Sequence, residues 1–161
     1  MTEFFFRKFA SPVGTIYLLA DEEFLRAIVW EENPDRPCAR FVRSGREEHP
    51  LLTETERQLR EYFAGRRKSF DLPISPTGTD FQLAAWRALR EISYGQTLTY
   101  AEQAAAMGRP RAVRAVAAAN GRNPLSIVIP CHRVTARDSL GGYAGGRRVK
   151  KFLLDLEKRN I

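Results

Sequence analysis

The stretch Ile127-Val128-Ile129-Pro130-Cys131-His132-Arg133-Val134 drives an apolar run into a proline, a thiol and an imidazole. A free cysteine has a pKa of about 8.5, so little of it is thiolate at neutral pH unless a base or a helix N-terminus helps. His132 is the adjacent base. Neighbours in a regular strand point to opposite faces. Pro130 argues that the strand has already ended, which lets Cys131 and His132 face one cavity. A third group that orients the imidazole would complete a Cys-His-acid relay. Glu157 is the candidate, four residues beyond the inward Leu153 on the last helix. Taken alone, the dipeptide reads more readily as a cysteine beside a solvated or core-bonded histidine, and an edge glutamate is common on such helices.

A second constellation lies just upstream. Residues 100–107 and 111–120 read as two short helices joined at Gly108-Arg109-Pro110, the dimensions of a helix-turn-helix. The second, Arg111 to Asn120, is mostly alanine, whereas base-edge readout in the major groove uses arrays of Arg, Asn and Gln. A face of small residues lets a backbone approach closely. That suits the narrower minor groove, held by phosphate contacts and largely blind to sequence. The plainer alternative is that the alanines pack against a neighbouring helix; Arg111 and Arg114 fit it less well. Charge points the same way. Residues 1–78 hold 12 basic and 13 acidic side chains, and residues 79–161 hold 14 and 6, so the halves carry −1 and +8. A basic half beside a near-neutral one suggests a polyanionic partner, nucleic acid first, although a net charge of +7 also serves solubility.

These groups need a scaffold. Residues 3–9 and 13–20 are rich in Phe, Ile, Tyr and Leu and flank the turn Ser11-Pro12-Val13-Gly14, a β-hairpin pattern. Phe24 to Trp30 is a third strand. Residues 31–50 read as a loop with a short helix around Ala39 to Val42. Residues 51–64 place Leu51, Leu52, Thr55, Leu59, Tyr62 and Phe63 on one helical face, with Gly65 at C′. Arg66 to Thr77, with Pro73 and Pro76, reads as an extended linker and puts a domain border between 77 and 78. Thr79 and Gln82 form a capping box for a helix to about Ile92, with Leu83, Trp86, Leu89 and Ile92 inward. Thr99 can cap the first of the short helices, and Pro110 suits the first turn of the second. Leu125 to Ile129 reads as a short buried strand or extended segment, Gly141 to Gly146 as a flexible loop, and 147–159 as a helix burying Val149, Phe152, Leu153 and Leu156.

Length and composition set the bounds. At 161 residues and 43% hydrophobic content the chain can bury a sizeable core without a disulfide staple. No apolar run approaches the roughly 20 residues of a membrane span, and the N-terminus lacks a signal-peptide pattern. A cytoplasmic location is expected, at the nucleoid if the source is a prokaryote. Cys38 and Cys131 in no paired pattern suggest a reducing compartment, and a Cys38–Cys131 disulfide is the less favoured alternative. Cys38, His49, Cys131 and His132 lack zinc-ligand spacing, so neither metal nor cofactor is expected.

A nucleophile beside a sequence-tolerant duplex grip implies that the target base leaves the stack, and Arg114 is the candidate to fill the gap. At this point the residues resemble a known family. Pro130-Cys131-His132-Arg133-Val134 after Asn123-Pro124 resembles the active-site signature of the O6-alkylguanine-DNA alkyltransferases, also called methylated-DNA–protein-cysteine methyltransferases. The likeness extends to Gly78-Thr79-Asp80-Phe81-Gln82 with Trp86, Tyr94-Gly95, Tyr100, Arg114-Ala115-Val116, Asn120-Gly121, Gly142-Tyr143 and Glu157. Ser11-Pro12-Val13-Gly14 and Tyr62-Phe63-Ala64-Gly65 match in the N-terminal half.

The resemblance implies a fold and roles. The fold would be an α/β, RNase H-like N-terminal domain with a small antiparallel sheet and a helix, followed by a mostly α C-terminal domain with a helix-turn-helix. Cys131 would take the alkyl group from guanine O6, with O4-alkylthymine as a second substrate, in one displacement, and keep it. His132 would deprotonate the thiol through a water, Glu157 would orient the ring, Tyr100 would donate to the flipped guanine, and Asn123 would brace the turn. Arg114 would be the finger, with Thr99, Arg111, Ala115, Ala118 and Arg122 also against DNA. Tyr100, Val134, Tyr143, Ala144 and Gly145 would line the pocket. The partner would be double-stranded DNA carrying O6-alkylguanine, bound by a monomer, with cooperative binding left open. Ala144 departs from the serine that many members have there, leaving only a backbone contact. The zinc ligands of some members are missing. Two other readings stand beside this one: a non-catalytic lesion-binding protein of the alkyltransferase-like type, which Cys131 argues against, and a Cys-His hydrolase, which leaves the basic helices unexplained.

Overall fold

The computed structural model describes residues 3–31, 33 and 46–161. The N-terminal sheet consists of β1 (Phe5–Ser11), β2 (Gly14–Ala20) and β3 (Leu25–Trp30), antiparallel in that order. Phe5, Phe9, Ile16, Leu18, Ile28 and Trp30 face the main core, while Phe6, Tyr17, Leu19, Ala27 and Val29 form a separate cluster. Such period-2 alternation is what a pleated strand imposes. Helix α1 (Pro50–Phe63) packs against β1 and β2. His49 caps its N-terminus, with Nδ1 accepting the Leu51 amide at 3.1 Å. Its C-terminus closes at Gly65, whose φ of +76° suits a residue without Cβ. The short helix expected around Ala39 to Val42 falls outside the described residues, as does Cys38.

Residues 66–77 are extended, yet they are strapped to the sheet rather than free. Leu25 N–H donates to Pro73 O at 2.8 Å, Arg26 Nη1 to Ser75 O at 2.7 Å, and Gln58 Nε2 to Asp71 O at 2.9 Å. The edge of β3 and Gln58 of α1 thus supply partners for the carbonyls of this half-exposed segment.

The C-terminal domain is helical: α2 (Asp80–Arg90), α3 (Tyr100–Ala106), α4 (Val113–Gly121) and α5 (Arg147–Arg159). Thr79 and Thr99 each form a complete capping box, with Gln82 and Glu102. A parallel pairing of β4 (Leu98–Thr99) with β5 (Val134–Thr135) ties the start of α3 to the exit of the cysteine turn. Helix α4 begins two residues later than its sequence suggests. Ala112 is its N-cap without a side-chain hydrogen bond, and Ala112 N–H donates to Arg109 O at 2.9 Å, so Pro110 opens a turn instead of the helix. One hydrophobic core runs through both domains, from Phe5 and Trp30 through Leu52 and Trp86 to Leu125, Cys131 and Leu153.

Candidate active site

The segment before Cys131 is a tight loop, which corrects the short strand expected at Leu125–Ile129. Its entry is pinned to β3, because Ile28 N–H donates to Pro124 O at 2.9 Å and Ser126 N–H to Ile28 O at 3.2 Å. Asn123 then closes the loop from inside. Its Nδ2 donates to Ile129 O at 2.8 Å and its Oδ1 accepts from Leu125 N–H at 2.9 Å. Ile127 carries the tightest bend at φ +73°, a conformation that disfavours a β-branched residue. Strand pairing shrinks to an isolated parallel bridge between Leu125 and Ile28, while one buried amide side chain bonds both ends of the loop. The chain leaves it as a 3-10 turn, Cys131–Arg133.

That turn sends Cys131 and His132 in different directions. Cys131, a free thiol, lines a cavity, whereas His132 is fully buried and reaches inward to α5. His132 Nε2 lies 2.6 Å from Glu157 Oε2. Hydrogen bonds from His132 and Arg133 outweigh burial and hold the Glu157 carboxyl well below its usual range. It is therefore ionised and accepts the Nε2 proton, which leaves Nδ1 as the basic nitrogen. Nδ1 is buried with no protein partner among the described residues. Burial pushes the His132 pKa down, so the imidazole is neutral. Burial also pushes the Cys131 thiol up, opposed by a hydrogen bond with Asn123 and by the nearby Lys150 charge. The resting sulfur is thus a thiol.

The Glu157 carboxylate is a hub. Oε1 accepts from Arg133 Nε at 2.8 Å and Gly95 N–H at 3.3 Å, and Oε2 accepts from Tyr62 Oη at 2.6 Å and Arg133 Nη2 at 3.2 Å. Arg133 Nη1 finishes on Ile92 O at 2.7 Å. Lys150, two turns before Glu157 on the same stripe of α5, is also buried: Nζ donates to Val134 O at 2.5 Å and Gly142 O at 3.1 Å. Burial lowers its pKa to about 8.

The cavity beside Cys131 has a volume of about 460 Å³ and is lined by Asn33, Tyr100, Ala117, Asn120, Gly121, Gly142, Tyr143 and Ala144. Burial, then the nearby Cys131, raise the Tyr100 pKa, so its hydroxyl remains a donor. Trp30 of β3 donates through Nε1 to Tyr143 Oη at 3.2 Å and packs against Gly145, where a Cβ would come within 2.8 Å of the indole. Gly145 accordingly lines a neighbouring recess of about 180 Å³ rather than the main cavity. Val134 lies outside the main lining as well: its carbonyl is taken by Lys150 and its N–H donates to Cys131 O.

Around this cavity, α3 and α4 are locked by a buried reciprocal pair. Gln103 Nε2 donates to Asn120 Oδ1 at 3.1 Å and Asn120 Nδ2 to Gln103 Oε1 at 2.7 Å. Arg111, Arg114, Ala115, Ala118 and Arg122 are exposed on one run of chain, Arg111 on the turn and Arg114 in the first turn of α4. Thr99 is half-buried and spends its hydroxyl on the Glu102 amide at 3.1 Å. Among the described residues no group of His, Cys, Asp or Glu is placed to hold a metal ion, and no helix is long and apolar enough to cross a membrane.

Residues 80–159 match the family described as 6-O-methylguanine DNA methyltransferase, DNA binding domain, and residues 5–76 match its ribonuclease-like domain. The chain belongs to the 6-O-methylguanine DNA methyltransferase family. Family members among the similar proteins include the methylated-DNA--protein-cysteine methyltransferase of Methanosarcina barkeri, 46% identical over 94% of this chain and 95% of that protein. The constitutive enzyme of Bacillus subtilis is 43% identical over 92% of each. The Mycobacterium tuberculosis OGT in complex with DNA superposes with a TM-score of 0.87 at 38% identity, covering 96% of this chain and 93% of that one. The two-domain arrangement, a small antiparallel sheet followed by a helical domain, is the fold of this methyltransferase family.

Several groups around the site have no counterpart in the sequence reading. Arg133 stood in the quoted motif without a role, and Tyr62 was read as part of an apolar face and of a matching N-terminal stretch, likewise without a role. Lys150 had a legible signal: with Leu153 and Glu157 it lies on the buried stripe of α5, where an unpaired charge needs a reason. Trp30 and Asn33 had none, because only tertiary packing brings Trp30 against Tyr143 and Gly145 and Asn33 to the cavity; Asn120 stood in the quoted likeness without a role.

Proposed function

We propose that this chain is a DNA repair protein that transfers the alkyl group of O6-alkylguanine in double-stranded DNA to its own Cys131. The observation that carries the reading is a buried free thiol opening on a base-sized cavity, backed by a neutral imidazole and an ionised glutamate. The volume falls in the range of about 300–1,000 Å³ typical of ligand pockets. A base inside a duplex cannot reach such a cavity, so the target nucleotide is flipped out. The thiol proton passes through a water to His132 Nδ1. The sulfur then attacks the alkyl carbon in line: the S–C bond forms, the C–O6 bond breaks, and its electron pair goes to the guanine. Tyr100 donates toward the ring as that charge develops, and Asn123 keeps the turn in place. Tyr143, Ala144 and Gly142 shape the pocket.

A thioether is not hydrolysed, so each molecule acts once, as a single-turnover methylated-DNA–[protein]-cysteine S-methyltransferase. O4-alkylthymine is a second substrate. The exposed face of α4, with Arg114 entering the vacated stack and Arg111, Ala115, Ala118, Arg122 and Thr99 around it, takes the minor groove with little sequence preference. The grip and the acceptor belong to a unit that begins at residue 78, the protein acts as a monomer, and its place is the cytoplasm or nucleoid. The presence of Cys131 separates this reading from a non-catalytic lesion binder. Intact mass after incubation with duplex DNA carrying O6-methylguanine tests it. One added methyl, absent in Cys131→Ser, is expected; tight binding with no adduct in the native protein would refute it.

A further inference from the structure

Tyr62 belongs to α1, 95 residues from Glu157 in sequence, yet its hydroxyl donates to Glu157 Oε2 at 2.6 Å. That oxygen is the one His132 Nε2 approaches at the same 2.6 Å. The tyrosine is fully buried, and its ring is held by Phe63 (5.4 Å, interplanar 81°), Phe70 (5.5 Å) and Tyr94 (6.4 Å, interplanar 85°). These contacts would hold a phenylalanine equally well. Burying the hydroxyl costs free energy unless it is hydrogen-bonded, and Glu157 is the partner it finds.

We propose that Tyr62 is a positioning residue of the thiol relay, through which the N-terminal domain sets the strength and aim of the Glu157–His132 bond. The inference rests on the reading of Cys131 as alkyl acceptor. Burial and the Glu157 charge keep the hydroxyl protonated far beyond neutral pH, so Tyr62 acts only as a donor. Oε2 takes three donors, His132 and Tyr62 at 2.6 Å and Arg133 Nη2 at 3.2 Å, and they share its charge. Tyr62 thereby restrains how strongly Oε2 pulls on the Nε2 proton, keeps His132 neutral, and stops the carboxylate from rotating off the imidazole. The other titratable and charged groups facing the pair are Arg133 from the cysteine turn, Lys150 from α5, Tyr94 from the turn after α2, and Tyr143 from the loop before α5. None of them donates to Oε2 from the N-terminal domain.

The test is Tyr62→Phe, read by the chemical shift of ¹⁵N-labelled histidine. The chain has only two histidines, so His49 serves as the internal control. Loss of one ordinary hydrogen bond to Oε2 should raise the titration of His132 by about half a pH unit. The acid limb of the rate of alkylation by free O6-benzylguanine should move up equally, a roughly threefold loss on that limb, with His49 unmoved. An unchanged or lowered His132 titration, with any rate loss uniform across pH, would overturn the proposal and leave Tyr62 as packing. The titration does not depend on alkyl transfer, so it fails separately from the function proposed above. If the variant does not fold, the native protein still decides. A slowly exchanging Tyr62 hydroxyl proton with a cross-peak to the His132 Nε2 proton supports the proposal, and its absence refutes it.

Discussion

Glu157→Gln removes a charge from a carboxylate with four hydrogen-bonding neighbours. Glu157 is 1% exposed, and its carboxylate accepts from His132, Tyr62, Arg133 and Gly95. An amide has one acceptor and one donor group. Whichever way it turns, its NH₂ meets either the Arg133 guanidinium or the His132–Tyr62 pair, and the buried Arg133 loses its counter-charge. Breaking one side of a buried ion pair costs about 3–5 kcal/mol. For a chain of this size that lowers Tm by roughly 6–20 °C, measured by calorimetry at pH 7. The carboxyl is held well below its ordinary value of 4.5, chiefly by His132 and Arg133 acting against burial. Its contribution is thus fully present above about pH 4.5 and fades as pH falls toward the folded-state pKa. The stability gap between native protein and variant should therefore be full at pH 7 and shrink on acidification. Single-turnover alkylation by free O6-benzylguanine should slow by about 10²-fold or more, the usual worth of a general base. A gap under about 1 kcal/mol at pH 7, or one that widens in acid, would show that the hub is not an ionised carboxylate.

Three further outcomes follow from the same geometry. Arg114→Ala should slow repair of duplex DNA at least tenfold while free O6-benzylguanine reacts at nearly the native rate, since Arg114 is exposed and outside the cavity lining; equal losses on both substrates would contradict a finger role. Gly145→Ala would press a methyl to within 2.8 Å of the Trp30 indole, and should cost about 1–3 kcal/mol by urea unfolding, with part recovered in the Gly145→Ala/Trp30→Leu double variant. His132 has its pKa lowered from 6.5 by burial, so below that pH the unfolded chain takes up a proton that the folded one refuses. Native stability should fall as pH drops through 6.5, and His132→Gln should show a shallower slope over pH 5–7 in urea titrations.

Much of the scaffold could be read from local chemistry. The hairpin at Ser11-Pro12-Val13-Gly14, the capping boxes at Thr79 and Thr99, and the apolar stripe of α5 rest on contacts within a few residues, so period and cap residues suffice to reveal them. Where local signals conflicted, tertiary contacts decided. Leu125 to Ile129 has strand composition, yet Asn123 bonds both ends of the loop and β3 pins its entry. Pro110 carries a helix-start signal, but no side chain caps Ala112 and the turn from Arg109 wins.

The sequence by itself determined the candidate residues and the class of chemistry open to them. A thiol, an imidazole, an inward glutamate and a basic alanine helix are residue types, and residue types set what bonds can form. The tertiary structure decided which way each group faces and what surrounds it. Cys131 opens to the cavity while His132 turns away to Glu157. Tyr62, Arg133 and Lys150 become buried polar partners, and Trp30 braces Tyr143 from the other domain. The physical reason is range. Propensity and periodicity act over a turn or two of chain, whereas desolvation and hydrogen bonding depend on atoms that only the packed core brings within 3 Å or so.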